Sequence, residues 1–262
     1  MAVFYNGKYF NDMVVEDSRF ITGIAIYEVI RIFNSLTVFL DDNTNRLIES
    51  LKRSNIDIEF HRDQFREKIE QFVTLNNIVD GNIKYILHKS ENGIVDEYIY
   101  QIPHKYPTKE QYRLGVSTSI LNAERSNPEI KYLNVSFREY TNSIIVERNV
   151  YELLLVNENG FITEGSKSNI FFIKDETIYT SPNEMVLGGT ARNRVIKLAQ
   201  ELGIKVVMQA VQVAELTKYN SAFITGTSPL ILPIANVDDI GFDVNNNTLR
   251  RLMESYFKLM HQ

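Results

Sequence analysis

Pairs of short apolar runs, joined by turn residues, dominate the first part of the chain. Val3–Phe10 alternates on both sides of Asn6-Gly7, a dipeptide typical of two-residue hairpin turns. A second pair, Ile24–Phe33 and Leu36–Leu40, turns at Asn34-Ser35. The pattern predicts that the chain begins with two β-hairpins.

Helical periodicity follows the second hairpin. Its apolar stripe consists of Leu47, Ile48, Leu51 and Ile56. Asp41-Asp42 precede the stripe and are expected to cap the helix and to place negative charge at its N-terminus. A second helix is predicted over Asp63–Leu75, with strands at Ile83–His88 and Ile94–Ile102 beyond it.

The polar segment Pro103–Lys109 interrupts these patterns with two prolines. It predicts a boundary between a small domain of residues 1–107 and a larger domain of residues 108–262. Beyond it, strands are predicted at Leu114–Leu121, Leu153–Val156, Phe161–Thr163, Ile170–Ile173 and Ile178-Tyr179. Helices are predicted near Arg138–Val150, Ala191–Leu202 and Asn245–Met260. This order predicts an α+β fold whose second domain has a compact, barrel-like sheet.

Composition and charge narrow the range of functions. The 28 basic and 33 acidic side chains are interspersed and give a net charge of -5, which argues against nucleic acid or an anionic membrane as main partners. The chain has no cysteine, so disulfide scaffolds and thiolate metal sites are excluded. It shows no signal peptide and no apolar run of about 18 residues, and a cytoplasmic protein is expected. The 4 histidines lack metal-ligand spacing, so no metal site is expected.

Three hydroxyl-rich, small-residue segments carry the candidate chemistry. They are Glu164–Asn169, Gly188–Arg192 and Thr225–Pro229, interpreted as turns next to helix starts. Backbone N–H groups at such turns bind anions, so two of these segments could together form a phosphate site. Plain turn chemistry is the alternative that composition alone leaves open.

The order of these segments resembles a known enzyme family. Ile130-Lys131-Tyr132-Leu133-Asn134 is similar to the Ile-Lys-x-Leu-Asn segment of the fold type IV (class IV) aminotransferases, which depend on pyridoxal 5'-phosphate (PLP). Further segments in register with that family are Asn45–Leu47, Tyr151-Glu152, Ile162–Ser166, Ser168–Phe171, Gly189–Arg192 and Thr225–Thr227. The group includes branched-chain and D-amino acid aminotransferases and 4-amino-4-deoxychorismate lyases. The resemblance implies a small N-terminal α/β sandwich domain and a larger C-terminal domain with a barrel-like sheet.

The resemblance implies a role for each matching residue. Lys131 is the catalytic lysine, which holds the cofactor covalently and acts as a base when released. Glu164 lies beside the pyridine nitrogen and keeps it protonated. Tyr27, in a strand segment similar to that of aminotransferases, faces the substrate.

The other implied residues bind the cofactor's phosphate or its surroundings. Arg46 is the expected side-chain partner of the phosphate, because a guanidinium offers paired donors and stays charged. The backbone amides of Thr190 and Ala191 and the hydroxyl of Thr227 complete that site. Ser168 is a further cofactor-binding residue.

Some positions depart from the family pattern and leave the substrate open. Ala191 lies where most members have a phosphate-binding threonine, and Ser136 replaces a cofactor-contacting tyrosine of branched-chain enzymes. Leu230 and Leu232 replace Glu and Thr in a further segment of those enzymes. His88-Lys89-Ser90 departs from the Thr/Ser-Arg-Gly segment that supplies a substrate-side arginine.

Three functions are therefore carried forward. The first is a PLP-dependent aminotransferase acting on small-molecule amino acids and 2-oxo acids, of the branched-chain or D-amino acid type. The second is a 4-amino-4-deoxychorismate lyase that releases pyruvate and 4-aminobenzoate with the same Lys131. The third is a catalytically idle PLP or phosphate-binding protein. The resemblance also implies a homodimer.

Overall fold

The computed structural model describes residues 1–260 of the chain. By residue contacts they form two compact units. The first unit consists of Met1–Lys105 together with Ile130–Phe137. The second consists of Tyr106–Glu129 and the residues from 138 onward. The predicted domain boundary after residue 107 stays a prediction, and by contacts the segment around Lys131 groups with the first unit.

One antiparallel sheet forms the centre of the first unit. Its strands are β1 (Val3–Tyr5), β2 (Lys8–Phe10), β3 (Ile24–Phe33), β4 (Leu36–Val38), β5 (Gly81–Lys89) and β6 (Val95–Ile102). Their order is β2-β1-β6-β5-β3-β4. Both predicted hairpins are confirmed, and Asn6, Asn34 and Ser35 adopt the positive φ angles that such tight turns require.

Two helices cover one face of this sheet. They are α1 (Leu40–Arg53) and α2 (Arg62–Leu75), and their buried residues pack in one core with Ile26 and Ile30 of β3. Both helices were predicted, but the capping role given to Asp41-Asp42 is wrong. Phe39, in a left-handed conformation, is the N-cap, and the two aspartates lie in the first turn, where their charge favours the helix dipole.

A curled, ten-stranded sheet forms the second unit. Its strands are β7 (Val116–Asn122), β8 (Glu152–Val156), β9 (Phe161–Gly165), β10 (Asn169–Lys174), β11 (Thr177–Thr180), β12 (Val206–Met208), β13 (Val211–Gln212), β14 (Ser221–Gly226), β15 (Leu230–Val237) and β16 (Ile240–Gly241). The remaining helices are α3 (Lys109–Leu114), α4 (Val135–Glu147), α5 (Thr190–Glu201) and α6 (Asn247–Leu259). The predicted α+β class with a barrel-like sheet is confirmed.

Two local interpretations of the sequence need correction. Helix α3 lies between the predicted linker and the predicted strand, overlapping each by one residue, and it was not predicted. Thr108 and Gln111 form a capping box at its start. The segments Glu164–Asn169 and Thr225–Pro229 do not precede helices. They join β9 to β10 and β14 to β15, and only Gly188–Arg192 leads into a helix. Across the described part of the chain, no helix combines the length and hydropathy needed to cross a bilayer.

Candidate active site

Lys131 lies on a short extended segment at the border of the first sheet. The N–H of Tyr27 donates to the carbonyl oxygen of Lys131 over 3.1 Å, and the N–H of Leu133 donates to that of Ala25 over 2.8 Å. Through these bonds the Lys131 segment pairs with the N-terminal half of β3. Strand β4 pairs with the C-terminal half of the same edge of β3. Ile130 and Leu133 are buried, so the backbone that carries Lys131 is held on both sides.

The side chain of Lys131 lies over an aromatic ring of the same unit. Its Nζ is 4.5 Å from the centroid of the Tyr27 ring, and Tyr27 is only 5% exposed. The negative face of the ring attracts the ammonium group and restricts where it lies. The structure therefore brings together the predicted cofactor lysine and the predicted substrate-facing tyrosine.

Arg46 projects from α1 and forms a two-pronged pair with Glu28 of β3. Its Nε and Nη2 donate to the two carboxylate oxygens over 2.8 and 2.7 Å. Asn43 donates to the same carboxylate over 2.7 Å. Burial acts to lower the pKa of Arg46, but the charge and hydrogen bonds of Glu28 outweigh it and raise that pKa. Nη1 of Arg46 makes none of the hydrogen bonds found among residues 1–260, so this edge of the guanidinium stays a predicted, untested phosphate contact.

Glu164 lies near the end of β9 and is 2% exposed. Nε of Arg125 is 3.2 Å from its Oε1, at ion-pair distance but without the alignment of a hydrogen bond. The N–H of Leu187 donates to Oε2 over 3.2 Å, and Nδ2 of Asn169 donates to it over 3.5 Å. Because a buried carboxylate is stable only when charges and donors face it, these groups fix the position of Glu164.

Ser168 belongs to the turn between β9 and β10 and contacts a second buried carboxylate. The hydroxyls of Ser166 and Ser168 donate to the two oxygens of Glu152 over 2.5 and 2.9 Å. The N–H of Lys167 adds a third bond over 3.2 Å. A Cβ on Gly165 would lie 2.1 Å from Oγ of Ser168, so glycine is needed there. The hydroxyl proton of Ser168 is thus engaged by Glu152, which shapes the turn.

Helix α5 starts at Thr190, directly after two glycines. None of the side chains that the structure describes caps it, so the N–H groups of its first turn are available to an anion. A Cβ on Gly189 would lie 2.0 Å from Oδ1 of Asn169, so only glycine allows the helix start to approach β10 this closely. Thr190 and Ala191 are 8% and 4% exposed. These features are the ones expected of the phosphate site predicted there.

Arg192, in the first turn of α5, is the most deeply buried cation of this region at 1% exposed. Its Nη2 donates to the carbonyl oxygen of Ser181 over 2.8 Å, and its Nη1 donates to Oδ1 of Asn183 over 2.9 Å. Burial lowers the pKa of Arg192 to about 10, although the charge of Glu164 acts in the opposite direction. Arg192 therefore ties the helix start to the loop before it.

Thr227 lies in the turn that joins β14 to β15. The hydroxyl of nearby Thr225 is buried and has no hydrogen-bond partner within residues 1–260. Leu230, just after the turn, has a φ of 55°, a conformation that leucine rarely adopts. The hydroxyl of Tyr112 donates to the carbonyl oxygen of Pro229 over 3.1 Å and helps to hold the turn. A strained turn beside an unsatisfied buried hydroxyl is typical of a ligand site.

The second unit brings these three segments together. Asn169 is the register partner of Thr225 in the β10–β14 pair, and its Nδ2 donates to the carbonyl oxygen of Leu187 over 2.9 Å. A Cβ on Gly226 would lie 3.7 Å from the carbonyl oxygen of Lys167. The β9–β10 turn, the start of α5 and the β14–β15 turn thus form one polar cluster.

Two residues that contact this cluster, Arg125 and Glu152, have no role assigned from the sequence. Neither has a spacing that marks it, although Glu152 lies inside a segment that resembles the family. The only available signal was that buried charges need partners, and the partners are known only once the strands are in register. Within the described residues, His, Asp and Glu side chains form no group of three that could hold a metal ion.

Comparison with known proteins places the chain in a family. Residues 25–237 match the sequence model of the family described as amino-transferase class IV. D-alanine aminotransferase of Bacillus licheniformis is 29% identical over 253 residues, covering 91% of this chain and 89% of that protein. Aminodeoxychorismate lyase of Bacillus subtilis is 24% identical over 275 residues, covering 98% of this chain and 93% of that protein. The crystal structure of the Escherichia coli branched-chain amino acid aminotransferase has a TM-score of 0.87 at 22% identity, covering 99% of this chain and 94% of that chain.

The chain therefore belongs to the class IV aminotransferases, a family of PLP-dependent enzymes. The predicted family and the predicted fold type IV architecture are both confirmed. The relatives carry the names of different activities, so family membership alone does not select the reaction.

Proposed function

We propose that the protein is an aminotransferase that moves an amino group between an amino acid and a 2-oxo acid, with PLP bound to Lys131. The observation that carries the proposal is the link between Glu164 and the start of α5. Leu187, which leads into the uncapped helix, donates its N–H to the buried carboxylate over 3.2 Å. A buried anion next to an anion-binding helix start matches a ligand with a protonated ring nitrogen at one end and a phosphate at the other.

The residues present fit this cofactor chemically. Lys131 offers a primary amine, Glu164 a buried carboxylate, and the start of α5 a set of uncapped N–H groups. When bound, PLP supplies a conjugated ring that accepts the electron pair left on the substrate Cα after it loses a proton.

Lys131 and Glu164 carry the proton chemistry in this proposal. Nζ of Lys131, once freed by the substrate amine, would take the proton from the substrate Cα and deliver it to the former aldehyde carbon of the cofactor. The contact with the Tyr27 ring, at 4.5 Å, limits the positions from which Nζ does this. Glu164 would accept a hydrogen bond from the ring nitrogen of the bound cofactor and keep that nitrogen protonated.

Binding of the phosphate falls to charged and backbone donors. The N–H groups of Thr190 and Ala191, Nη1 of Arg46 and the hydroxyl of Thr227 are the proposed donors. The side chain of Ala191 has no hydroxyl to donate to the phosphate. A larger share of the phosphate's hydrogen bonds would therefore come from the backbone N–H groups at the start of α5. Ser168 acts indirectly, because its hydroxyl proton is engaged by Glu152.

A lyase acting on 4-amino-4-deoxychorismate is the second candidate. It is favoured by the similarity to an aminodeoxychorismate lyase over 98% of this chain. The same Lys131 would move the Cα proton, and the products would be pyruvate and 4-aminobenzoate. Lys131 alone does not separate the two reactions, so the substrate must be tested directly.

Borohydride trapping tests the role of Lys131. Reduction of the purified protein followed by peptide mass spectrometry should find a pyridoxyl group on Lys131. Lys131→Ala should carry none and should lose turnover. Lys52→Ala, a matched change at an exposed lysine of α1, should behave as wild type. A pyridoxyl group on another lysine, or full turnover in Lys131→Ala, would contradict the proposal.

A substrate panel tests the reaction. Amino donors of both stereochemistries, paired with pyruvate or 2-oxoglutarate, should give a new amino acid from the oxo acid. Release of 4-aminobenzoate from aminodeoxychorismate without an added oxo acid would identify the lyase instead. If the protein binds PLP but turns over none of these compounds, it is the third alternative, a PLP-binding protein without catalytic activity.

A further inference from the structure

Lys84 is a buried lysine in the interior of the first sheet. It lies in the middle of β5, opposite Val29 of β3 and Tyr100 of β6. Its side chain is 7% exposed. Burying an ammonium group is unfavourable unless an anion or aromatic face compensates it, so a lysine at this position calls for an explanation.

Lys84 shares an aromatic ring with the proposed catalytic lysine. Its Nζ lies 5.4 Å from the centroid of the Tyr27 ring and 5.9 Å from that of Tyr100. Nζ of Lys131 lies 4.5 Å from the same Tyr27 centroid. Strand β3 carries Tyr27. The Lys131 segment borders β3 on one side, and β5, which carries Lys84, pairs with β3 on the other. The two lysines therefore reach the Tyr27 ring from the two sides of β3. A second cation is thus held close to the residue that moves the proton.

The carboxylate that pairs with Lys84 is in a very different position. Asp17 accepts a hydrogen bond from Nζ of Lys84 over 2.6 Å. It lies on a 3-10 helix of only four residues, Asp17–Phe20, and its side chain is 38% exposed. The cation is therefore fixed inside the sheet, whereas the anion lies on a short surface turn. Asp17 can return to water at little cost because it is on the surface, whereas Lys84 stays buried. A second carboxylate is the group best suited to compensate the ammonium when Asp17 leaves.

We propose that Lys84 binds a carboxylate of the substrate and that Asp17 occupies this cation until the substrate displaces it. The inference rests on the proposed function, because it concerns the same site as Lys131 and Tyr27. The exchange replaces one carboxylate by another at Nζ, so no buried charge is left uncompensated. The hydroxyl of Tyr100, which lies 3.5 Å from Oδ1 of Asp17, is a second donor for the incoming carboxylate.

The test uses PLP-loaded protein and two unreactive probes. Propionate has one carboxylate and glutarate has two, and neither has an amino or oxo group. Dissociation constants come from the change in cofactor absorbance and from inhibition of amino transfer. Lys84→Met should weaken the binding of at least one probe by about tenfold or more, the loss expected for a charge-assisted hydrogen bond. Lys84→Arg keeps the charge in a different shape and should bind the affected probe more tightly than Lys84→Met.

Lys68→Met is the matched control for loss of a lysine. Lys68 also pairs with a carboxylate, Glu97, and also lies over a ring, that of Phe4. It should leave both dissociation constants unchanged. Circular dichroism and borohydride trapping on every variant show whether the fold and the cofactor are retained.

Asp17→Asn should change probe affinity in the direction opposite to Lys84→Met. This variant distinguishes a carboxylate that competes with the substrate from one that only supports the structure. Removing a competing carboxylate should tighten probe binding several-fold, whereas loss of a structural ion pair would weaken it. Unchanged binding in a folded, loaded Lys84→Met protein, or weaker binding in Asp17→Asn, would overturn the proposal.

The two probes identify which carboxylate is bound. Equal loss for propionate and glutarate in Lys84→Met assigns Lys84 to the carboxylate that every amino acid has. Loss for glutarate alone assigns it to a side-chain carboxylate and hence to acidic substrates. Absence of trapped cofactor in wild type would overturn both this inference and the proposed function, but a loaded, active enzyme with unchanged binding would overturn this inference alone.

Discussion

Nε of Arg125 lies 3.2 Å from Oε1 of Glu164, in the interior of the second unit. Nη2 of the same arginine donates to the carbonyl oxygen of Ser166 over 3.1 Å. One side chain thus contacts both the carboxylate and the turn that follows it. The position of the proposed partner of the pyridine nitrogen therefore depends on a residue outside every recognisable motif.

Removing the charge of Glu164 should impair chemistry more than cofactor binding. Glu164→Gln keeps the size of the side chain but no longer holds the ring nitrogen protonated, so loss of the substrate Cα proton should slow by about a hundredfold or more. Single-turnover absorbance measurements give this rate. Glu158→Gln, a matched change in the exposed turn before β9, should have no effect. An unchanged rate in Glu164→Gln would show that the residue is misassigned.

Two adjacent glycines should respond differently to the same substitution. In Gly189→Ala the new Cβ would lie 2.0 Å from Oδ1 of Asn169, so the helix start must move. In Gly188→Ala no atom of the described chain lies within 4 Å of the new Cβ. We expect Gly189→Ala to lower the unfolding free energy by about 1–3 kcal/mol and to weaken PLP binding at least tenfold.

Denaturant unfolding and cofactor titration measure these two quantities. Gly188→Ala should stay close to wild type in both. Equal behaviour of the two variants would mean that the close approach of α5 to β10 does not shape the phosphate site.

The buried Arg46–Glu28 pair should matter for stability. The side chains are 10% and 0% exposed, so Arg46→Met leaves the carboxylate of Glu28 in the interior without its cation. The expected loss is about 3 kcal/mol or more of unfolding free energy. Arg66→Met, which breaks a pair with Asp41 whose side chains are 42% and 73% exposed, should cost less than about 1 kcal/mol. Urea unfolding of both variants checks the difference, and similar losses would contradict the assignment of Arg46 as the buried partner.

We expect the protein to be a homodimer, as the family resemblance implies. Light scattering at micromolar concentration should report about twice the chain mass of 30.4 kDa. Two-fold contacts are the commonest way for soluble chains to pair. Dilution that produces monomer should also release cofactor if the neighbouring subunit supports the site. A stable monomer with full turnover would contradict the homodimer that the family resemblance implies for this chain.

Local signals determined much of the architecture. The hairpin at Asn6-Gly7 and the helix Arg62–Leu75 were predicted close to their observed bounds, because turn conformation and helical periodicity are properties of neighbouring residues. The segment around Lys131 is recognised instead by its resemblance to the family, which runs over consecutive positions. The capping box of Thr108 and Gln111 is a local signal of the same kind, because both residues lie within one helical turn.

Only the tertiary structure decided which charges meet. Asp17 and Lys84 are 67 positions apart in the chain. Arg125, in the loop after β7, lies well before its partner Glu164 on β9. Sequence patterns indicate which residues are buried, but they do not specify strand order and register. Because a shift of one residue in register turns every side chain to the other face, these pairs exist only once the sheets are assembled.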